Sequence, residues 1–355
     1  MKKARRLVLA LALAAAYCPL STVHCPLAQG SEVRARPDLI TPEAERAIAK
    51  GLAYLARTQA KNGCWRTEGM GGAYPTAMTA LAGLGMMAAG NTPCEGEYAE
   101  NVRRAVYFIL NSCSRSGLIT AIVEENRSMH GHGFATMFLA QAYGAEQDTD
   151  LQRKLHDAIT RAVALTAKSQ SVNGGWLYTP DQNGDEGSVT VTQIQALRAA
   201  RNAGIKVPKS TINRACEYLK KCANEDGGIS YSLMSRGSRP AISAAAVATL
   251  YNAGQYENPV ALNALAYLKK LLKGSSSATV FQGHRYYAIL YTGQAMFFSG
   301  EEDWKGFFPK QRDELIKEQK EDGSWQGDFA GHVYGTAIAL LTLQLPYQYL
   351  PILQR

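Results

Sequence analysis

The stretch Lys50–Trp65, KGLAYLARTQAKNGCW, decides how the chain is read. It is the second half of an amphipathic pattern that begins at Glu43, behind Thr41 as a cap and Pro42 just inside the start. Gly63 ends the helix, and a tryptophan follows two residues later. A Trp just past a stop is out of place in a surface loop unless it has a task there. Repetition supplies the task. Gln59-x-x-x-Gly63-x-Trp65 returns as Gln170-x-x-x-Gly174-x-Trp176 and as Gln319-x-x-x-Gly323-x-Trp325. A weaker copy, NEDGGISY, keeps Gly227 but has Ala223 and Ile229 in place of Gln and Trp. The Trp positions 65, 176, 229 and 325 are spaced as two, one and two units of roughly fifty residues, the mark of an array of supersecondary units. RSGLIT places Leu118 near the position missing from the first wide gap.

Each unit reads as two helices. The first pairs 43–58 with 75–89, and the same pairing recurs as 98–113 with 132–145, 151–170 with 188–203, 209–222 with 240–253, 259–272 with 284–298, and 309–319 with 333–345. The second helices, such as TAMTALAGLGMMAA and ISAAAVATLYNAG, carry almost no charge. A helix apolar on every side is buried, and its amphipathic partner covers it. Six outer helices around six inner ones predict an all-α fold, a single (α/α)6 toroid over 41–345. The tail 346–355, with Tyr347, Tyr349 and Pro351, is expected to dock on the outer surface.

Hydrophobic content of 46% and charged content of 19% describe a folded chain with ample core. Four of the charges behind the formal +8 are Lys2, Lys3, Arg5 and Arg6, which precede the short apolar run Leu7–Ala16. That order predicts a signal peptide over 1–29, a linker over 30–40, and export to the periplasm or the cell exterior. No basic stripe remains for nucleic acid, and no later segment has the length of a membrane span. Cys64, Cys94, Cys113, Cys216 and Cys222 are an odd set without zinc-knuckle spacing. Bridges Cys216–Cys222 and Cys94–Cys113 compete with buried free thiols.

The string Lys50-Gly51-x-x-Tyr54-Leu55-x-x-x-Gln59-x-x-x-Gly63-x-Trp65 resembles the QW repeat of squalene-hopene and oxidosqualene cyclases, a superfamily that includes the β subunits of protein prenyltransferases. It is also similar to exported bacterial proteins with one such toroid. The resemblance implies the toroid, with the Gln bonding backbone at the end of an outer helix and the Trp stapling neighbouring units. The activities fare less well. The cyclase acid segment Asp-x-Asp-Asp-Thr aligns through Thr190 with Glu186, Gly187, Ser188 and Val189, so Ser188 stands where the proton donor should. The prenyltransferase zinc pair would fall on Gly331 and Val333, which cannot ligate a metal. PCEGE around Cys94 is not a thioester sequence. No cofactor and no metal site is expected.

The remaining signal is polar residues at the starts of inner helices. His130, His132, His284 and His332 lie there, with Asp185, Ser188, Arg236, Arg285 and Tyr334 in related places. In a closed toroid these starts converge on one mouth of a central cavity. Asp185, His284 and Tyr286 are the catalytic candidates, and a pH-sensitive cluster of His132, His284 and His332 is expected. Three functions follow. The leading one is binding of an apolar, isoprenoid-like small molecule or lipid in the cavity. The second is a secreted glycan-active enzyme, resembling polysaccharide lyases, that works with His, Tyr and Arg at the mouth. The third is a protein-binding scaffold whose partner the sequence does not name.

Overall fold

The computed structural model describes residues 36–67 and 73–354, so the signal peptide expected over 1–29 and most of the expected linker lie outside the described residues. Among the described residues there are thirteen α-helices: α1 (Pro42–Thr58), α2 (Pro75–Met87), α3 (Ala99–Asn111), α4 (Ser128–Ala145), α5 (Thr149–Lys168), α6 (Gly187–Asn202), α7 (Lys209–Lys221), α8 (Pro240–Asn252), α9 (Pro259–Leu272), α10 (Ser277–Val280), α11 (Arg285–Ser299), α12 (Glu301–Glu318) and α13 (Gly331–Leu343). Apart from the one-turn α10 they alternate outer and inner. The inner helices pack in the cyclic order α2, α4, α6, α8, α11, α13 and back to α2, while α1 meets α12 in the outer layer. The ring is closed, an (α/α)6 toroid. Every residue of α2 is buried, whereas α1 buries one face: Ala44, Ala47, Ile48, Gly51, Leu52, Tyr54 and Leu55. No helix among the described residues is long and apolar enough to cross a membrane.

The repeated Gln and Trp tie neighbouring helices together. Each Gln donates from its amide to the carbonyl of its own turn glycine and to a carbonyl early in the next outer helix: Gln59 to Gly63 and Asn101, Gln170 to Gly174 and Thr211, Gln319 to Gly323 and Ala47, all at 2.8–3.0 Å. Each indole N–H donates to a carbonyl in the last turns of its outer helix: Trp65 to Leu55, Trp176 to Thr166, Trp325 to Leu315. Each Trp backbone N–H is received by an inner-helix hydroxyl: Thr79, Thr190 or Thr336. The three indoles are fully buried. The turn needs glycine for two reasons. Gly174 has φ +101°, and a Cβ there would sit 2.3 Å from the Arg214 carbonyl of the next outer helix.

Several expectations change. In the second unit the Trp position belongs to Ile119, not Leu118, because Gly117 is the positive-φ glycine two residues before it. In α4 the helix begins four residues early, at Ser128, so both His130 and His132 lie inside it. In α12 the start moves back to Glu301, with Pro309 in the interior. All five cysteines among the described residues are free thiols, so neither bridge forms. The tail does not dock on the outside. After α13 it turns across the ring, and Leu350, Ile352 and Leu353 bury themselves among the inner helices. Burial of these apolar side chains in the ring's own axis removes them from water.

Candidate functional site

Inner helices that share an axis present a stripe at i, i+4 and i+7 to it. On α4 the stripe is His130, Phe134, Met137 and then Gln141; on α6 it is Ser188, Thr192 and Gln195; on α11 it is Tyr287, Tyr291 and Gln294. Each is polar at the mouth. Deeper down, Leu81, Leu84, Phe134, Met137, Leu290 and Leu341 line an apolar chamber, closed from the far end by Leu350, Ile352 and Leu353. The free volume left there is about 20 Å³, room for roughly one water. Gln195 donates to Gln294 Oε1 at 2.7 Å between α6 and α11, at the chamber's edge, and Gln141 Oε1 receives the Ile352 N–H at 3.4 Å.

The mouth is built by connections that stitch onto inner-helix starts. Glu124 Oε1 accepts the Thr76 N–H of α2 at 2.8 Å, and Asp328 accepts those of Arg285 and Tyr286 on α11 at 3.2 and 3.0 Å. Glu186 caps its own α6, accepting from the Ser188 and Val189 amides and from Ser188 Oγ. Burial raises the carboxyls of Glu124 and Asp328 above the usual range. The buried Glu186 forms the centre. Ser188 Oγ lies 3.0 Å from His130 Nε2, His130 packs on Tyr178, and the Tyr178 and Tyr231 hydroxyls are hydrogen-bonded. Tyr287 lies within electrostatic range of Glu186, Tyr231, Tyr291 and Tyr334. Burial holds the phenols of Tyr231, Tyr287, Tyr291 and Tyr334 protonated and the His130 imidazole neutral. The Tyr287 and Tyr291 hydroxyls are buried and make no hydrogen bond of good geometry among the described residues. The mouth therefore offers neutral donors, two of them unused.

The sequence candidates divide. His130, Ser188 and Tyr334 are at this centre. His132 is not: it lies one half-turn deeper on the outward side, its Nδ1 accepting the Ile119 N–H at 3.2 Å and its Nε2 2.9 Å from Thr166 Oγ1. It does in the second unit what Thr79, Thr190 and Thr336 do elsewhere, and burial lowers it to about 4. Asp185 turns outward to Ser171 and Asn173, each 3.0 Å away. His332 faces Ser324 at 2.9 Å, beside the last repeat turn. Arg285 pairs with Glu314 and Glu318 of α12 and covers the ring of Tyr286, which burial also keeps protonated. His284 and Arg236 are exposed at the rim, His284 edge-on to Phe329. The three histidines expected to cluster therefore point to three environments, because one residue on a helix rotates the side chain by about 100°. The same rotation exchanges Tyr286 for Tyr287 as the phenol that faces the axis. Sequence reasoning missed Tyr178 and Tyr231. Both stand two residues beyond a repeat position, Trp176 and Ile229, and that register was the available signal.

No protein-family model and no curated protein sequence matches the chain. Among solved structures it is similar to the type II terpene cyclase MstE from Scytonema, with TM-score 0.60 and 17% identity over 88% of this chain and 100% of that one. MstE is also known in complex with its substrate geranylgeranyl dihydroxybenzoate, with TM-score 0.57 and 16% identity over 87% of this chain and 98% of that one. A glycosidase in complex with glucose matches with TM-score 0.60 and 13% identity over 87% of this chain and 98% of that one. At these identities the likeness is one of fold.

Proposed function

We propose that the toroid binds an apolar, isoprenoid-like small molecule whose neutral oxygen head lies at the mouth and whose hydrocarbon body enters the chamber. One observation carries this reading. The six inner helices enclose a chamber that already accepts aliphatic groups, those of Leu350, Ile352 and Leu353, and the same helix that lines it with Leu290 and Gln294 carries Tyr287 and Tyr291, whose buried hydroxyls make no hydrogen bond of good geometry among the described residues. Apolar walls with a few placed polar groups are the usual make-up of a small-molecule site. A charged head fits poorly, because the phenols and His130 are neutral and the oxygens of Glu186 are occupied. A body larger than a water must displace the tail, so the state described is the closed one. The export expected from residues 1–29 belongs to the same reading, since it would meet such molecules outside the cytoplasm.

A hydrolytic form of the glycan reading is weaker on geometry, whereas the lyase-like form, working with His, Tyr and Arg, needs no such carboxyl pair. Glycoside hydrolysis needs two carboxyl groups free to face the bond. Glu186 and Asp328 both commit their oxygens to helix amides. Native mass spectrometry of the full chain with geranylgeraniol and, separately, with a gluco-oligosaccharide decides between them. A stoichiometric geranylgeraniol adduct lost in Tyr287→Phe supports the proposal. An oligosaccharide adduct without a prenyl one overturns it.

A further inference from the structure

Ser188 Oγ lies 2.8 Å from both Glu186 oxygens and 3.0 Å from His130 Nε2, but its hydroxyl has a single hydrogen to give. A carboxylate only accepts, so that hydrogen goes to Glu186. Turned to the ring instead, it would leave a serine lone pair facing a carboxylate oxygen at 2.8 Å. The contact between Ser188 and His130 then takes its hydrogen from the imidazole, which places it on Nε2. Burial keeps the ring neutral against the pull of Glu186, so this hydrogen is the ring's only one. Nδ1 keeps a bare lone pair and makes no hydrogen bond among the described residues. His130 is half-buried, so Nδ1 is within reach of a molecule at the mouth.

Tyr287 offers the opposite chemistry. Its hydroxyl is buried, protonated and without a hydrogen-bond partner, so it is a donor in waiting. The two groups belong to one cluster. Glu186 lies within electrostatic range of both His130 and Tyr287. Tyr231 is also near Tyr287, and its hydroxyl bonds that of Tyr178, whose ring packs on His130 with centroids 5.8 Å apart. A head that fits the phenol alone needs only an oxygen with lone pairs, so an ether, a carbonyl or a hydroxyl would serve. A head that also fits Nδ1 must bring a hydrogen. Among heads with a single oxygen, only a hydroxyl both accepts from the phenol and donates to the imidazole.

We infer that the ligand's head is an alcohol or a phenol, its oxygen accepting from Tyr287 and its hydrogen going to His130 Nδ1, so that His130 selects against ethers and carbonyl compounds on the same hydrocarbon. This rests on the apolar-ligand reading above. The test is native mass spectrometry of the full chain with equimolar geranylgeraniol and geranylgeranyl methyl ether. Wild type should prefer the alcohol about tenfold, the effect of leaving a half-buried acceptor unpaired. His130→Phe keeps a ring against Tyr178 but has no Nδ1. Its preference should vanish through weaker alcohol binding, with ether binding unchanged. Ser188→Ala removes the group that holds the hydrogen on Nε2, so the ring can present either nitrogen and the preference should shrink. Glu186 still accepts the amide hydrogens of residues 188 and 189 in that variant, so the start of α6 should hold, and melting temperatures check that each variant is folded. Tyr287→Phe removes a donor that both heads use and should weaken both alike. Equal binding of alcohol and ether by wild type overturns the inference and leaves the apolar-ligand reading standing. A preference unchanged in His130→Phe would assign it to the ether's extra methyl group, and one unchanged in Ser188→Ala would remove the fixed ring hydrogen; either overturns the inference. No adduct with either compound overturns both the inference and the reading beneath it.

Discussion

The side-chain amide of Gln319 donates to the carbonyl of Ala47 at 2.8 Å, across 272 residues of sequence. The same bond joins Gln59 to Asn101 and Gln170 to Thr211 between sequential units, so the last unit treats the first as its successor. Closure is therefore made by the repeat device itself.

Gln319→Ala should cost about 1–3 kcal/mol, the penalty for leaving part-buried carbonyls unpaired. Gln170→Ala should cost a similar amount. The two differ in where the structure loosens. Hydrogen exchange should accelerate in α1 and α12 for Gln319→Ala, and in α5 and α7 for Gln170→Ala. Identical exchange maps would remove the closing role from Gln319.

Trp176→Ala removes a fully buried indole and one hydrogen bond to the Thr166 carbonyl. Truncating a buried large aromatic costs about 3–5 kcal/mol. Urea denaturation should show that loss, and an unchanged midpoint would contradict the stapling geometry.

How much of this is legible in the sequence follows from which residues carry a period. Gln, Gly and Trp recur at fixed offsets because each contacts the next unit, so the unit count and the toroid can be read directly. The start of α4 cannot, since residues 128–131 lack the apolar spacing that marks a helix; in α12 Trp304, Phe307 and Phe308 do keep that spacing, and Pro309, a residue usual in a first turn, masks it. His132 misleads for a related reason. Elsewhere a hydroxyl on Thr79, Thr190, Ser243 or Thr336 receives the repeat N–H. An imidazole doing that same structural job suggests chemistry when the second unit is taken by itself. The tail misleads because LPYQYLPILQR has no period, and an aperiodic apolar segment does not say which groove it fills.

His132 gives a pH prediction with a definite sign. Its folded value of about 4 lies below the ordinary 6.5, so between these values the unfolded chain holds a proton that the folded chain refuses. Stability from this group is full above about pH 6.5 and is lost as pH falls towards 4, by about 3 kcal/mol at most. The raised carboxyls of Glu124 and Asp328 work the other way, adding stability at low pH that fades as pH rises through their folded values. The difference between wild type and His132→Gln isolates the histidine. Urea melts at pH 7 and pH 4.5 should show wild type losing more stability than the variant on acidification. Equal losses would mean that the imidazole is protonated in place.

The last prediction concerns the tail. Ile352 and Leu353 occupy the far end of the chamber and leave only about 20 Å³ free. Ile352→Ala/Leu353→Ala deletes methyl groups whose space the rigid inner helices cannot fully collapse into. The variant should be destabilised by several kcal/mol, from lost transfer energy and from the cavity itself. An empty apolar cavity of this kind stays dry and accepts small hydrocarbons. Stability should then return when an aliphatic guest is added, by RT ln(1 + [L]/Kd), while wild type with its chamber full should respond less. The measurement is the melting temperature of both proteins against a series of short prenyl alcohols. A rise larger in the variant than in wild type and growing with chain length would show that the tail holds the place of a hydrocarbon. Destabilisation with no rescue at any length would make Ile352 and Leu353 ordinary core, and the chamber would lose its claim to a ligand.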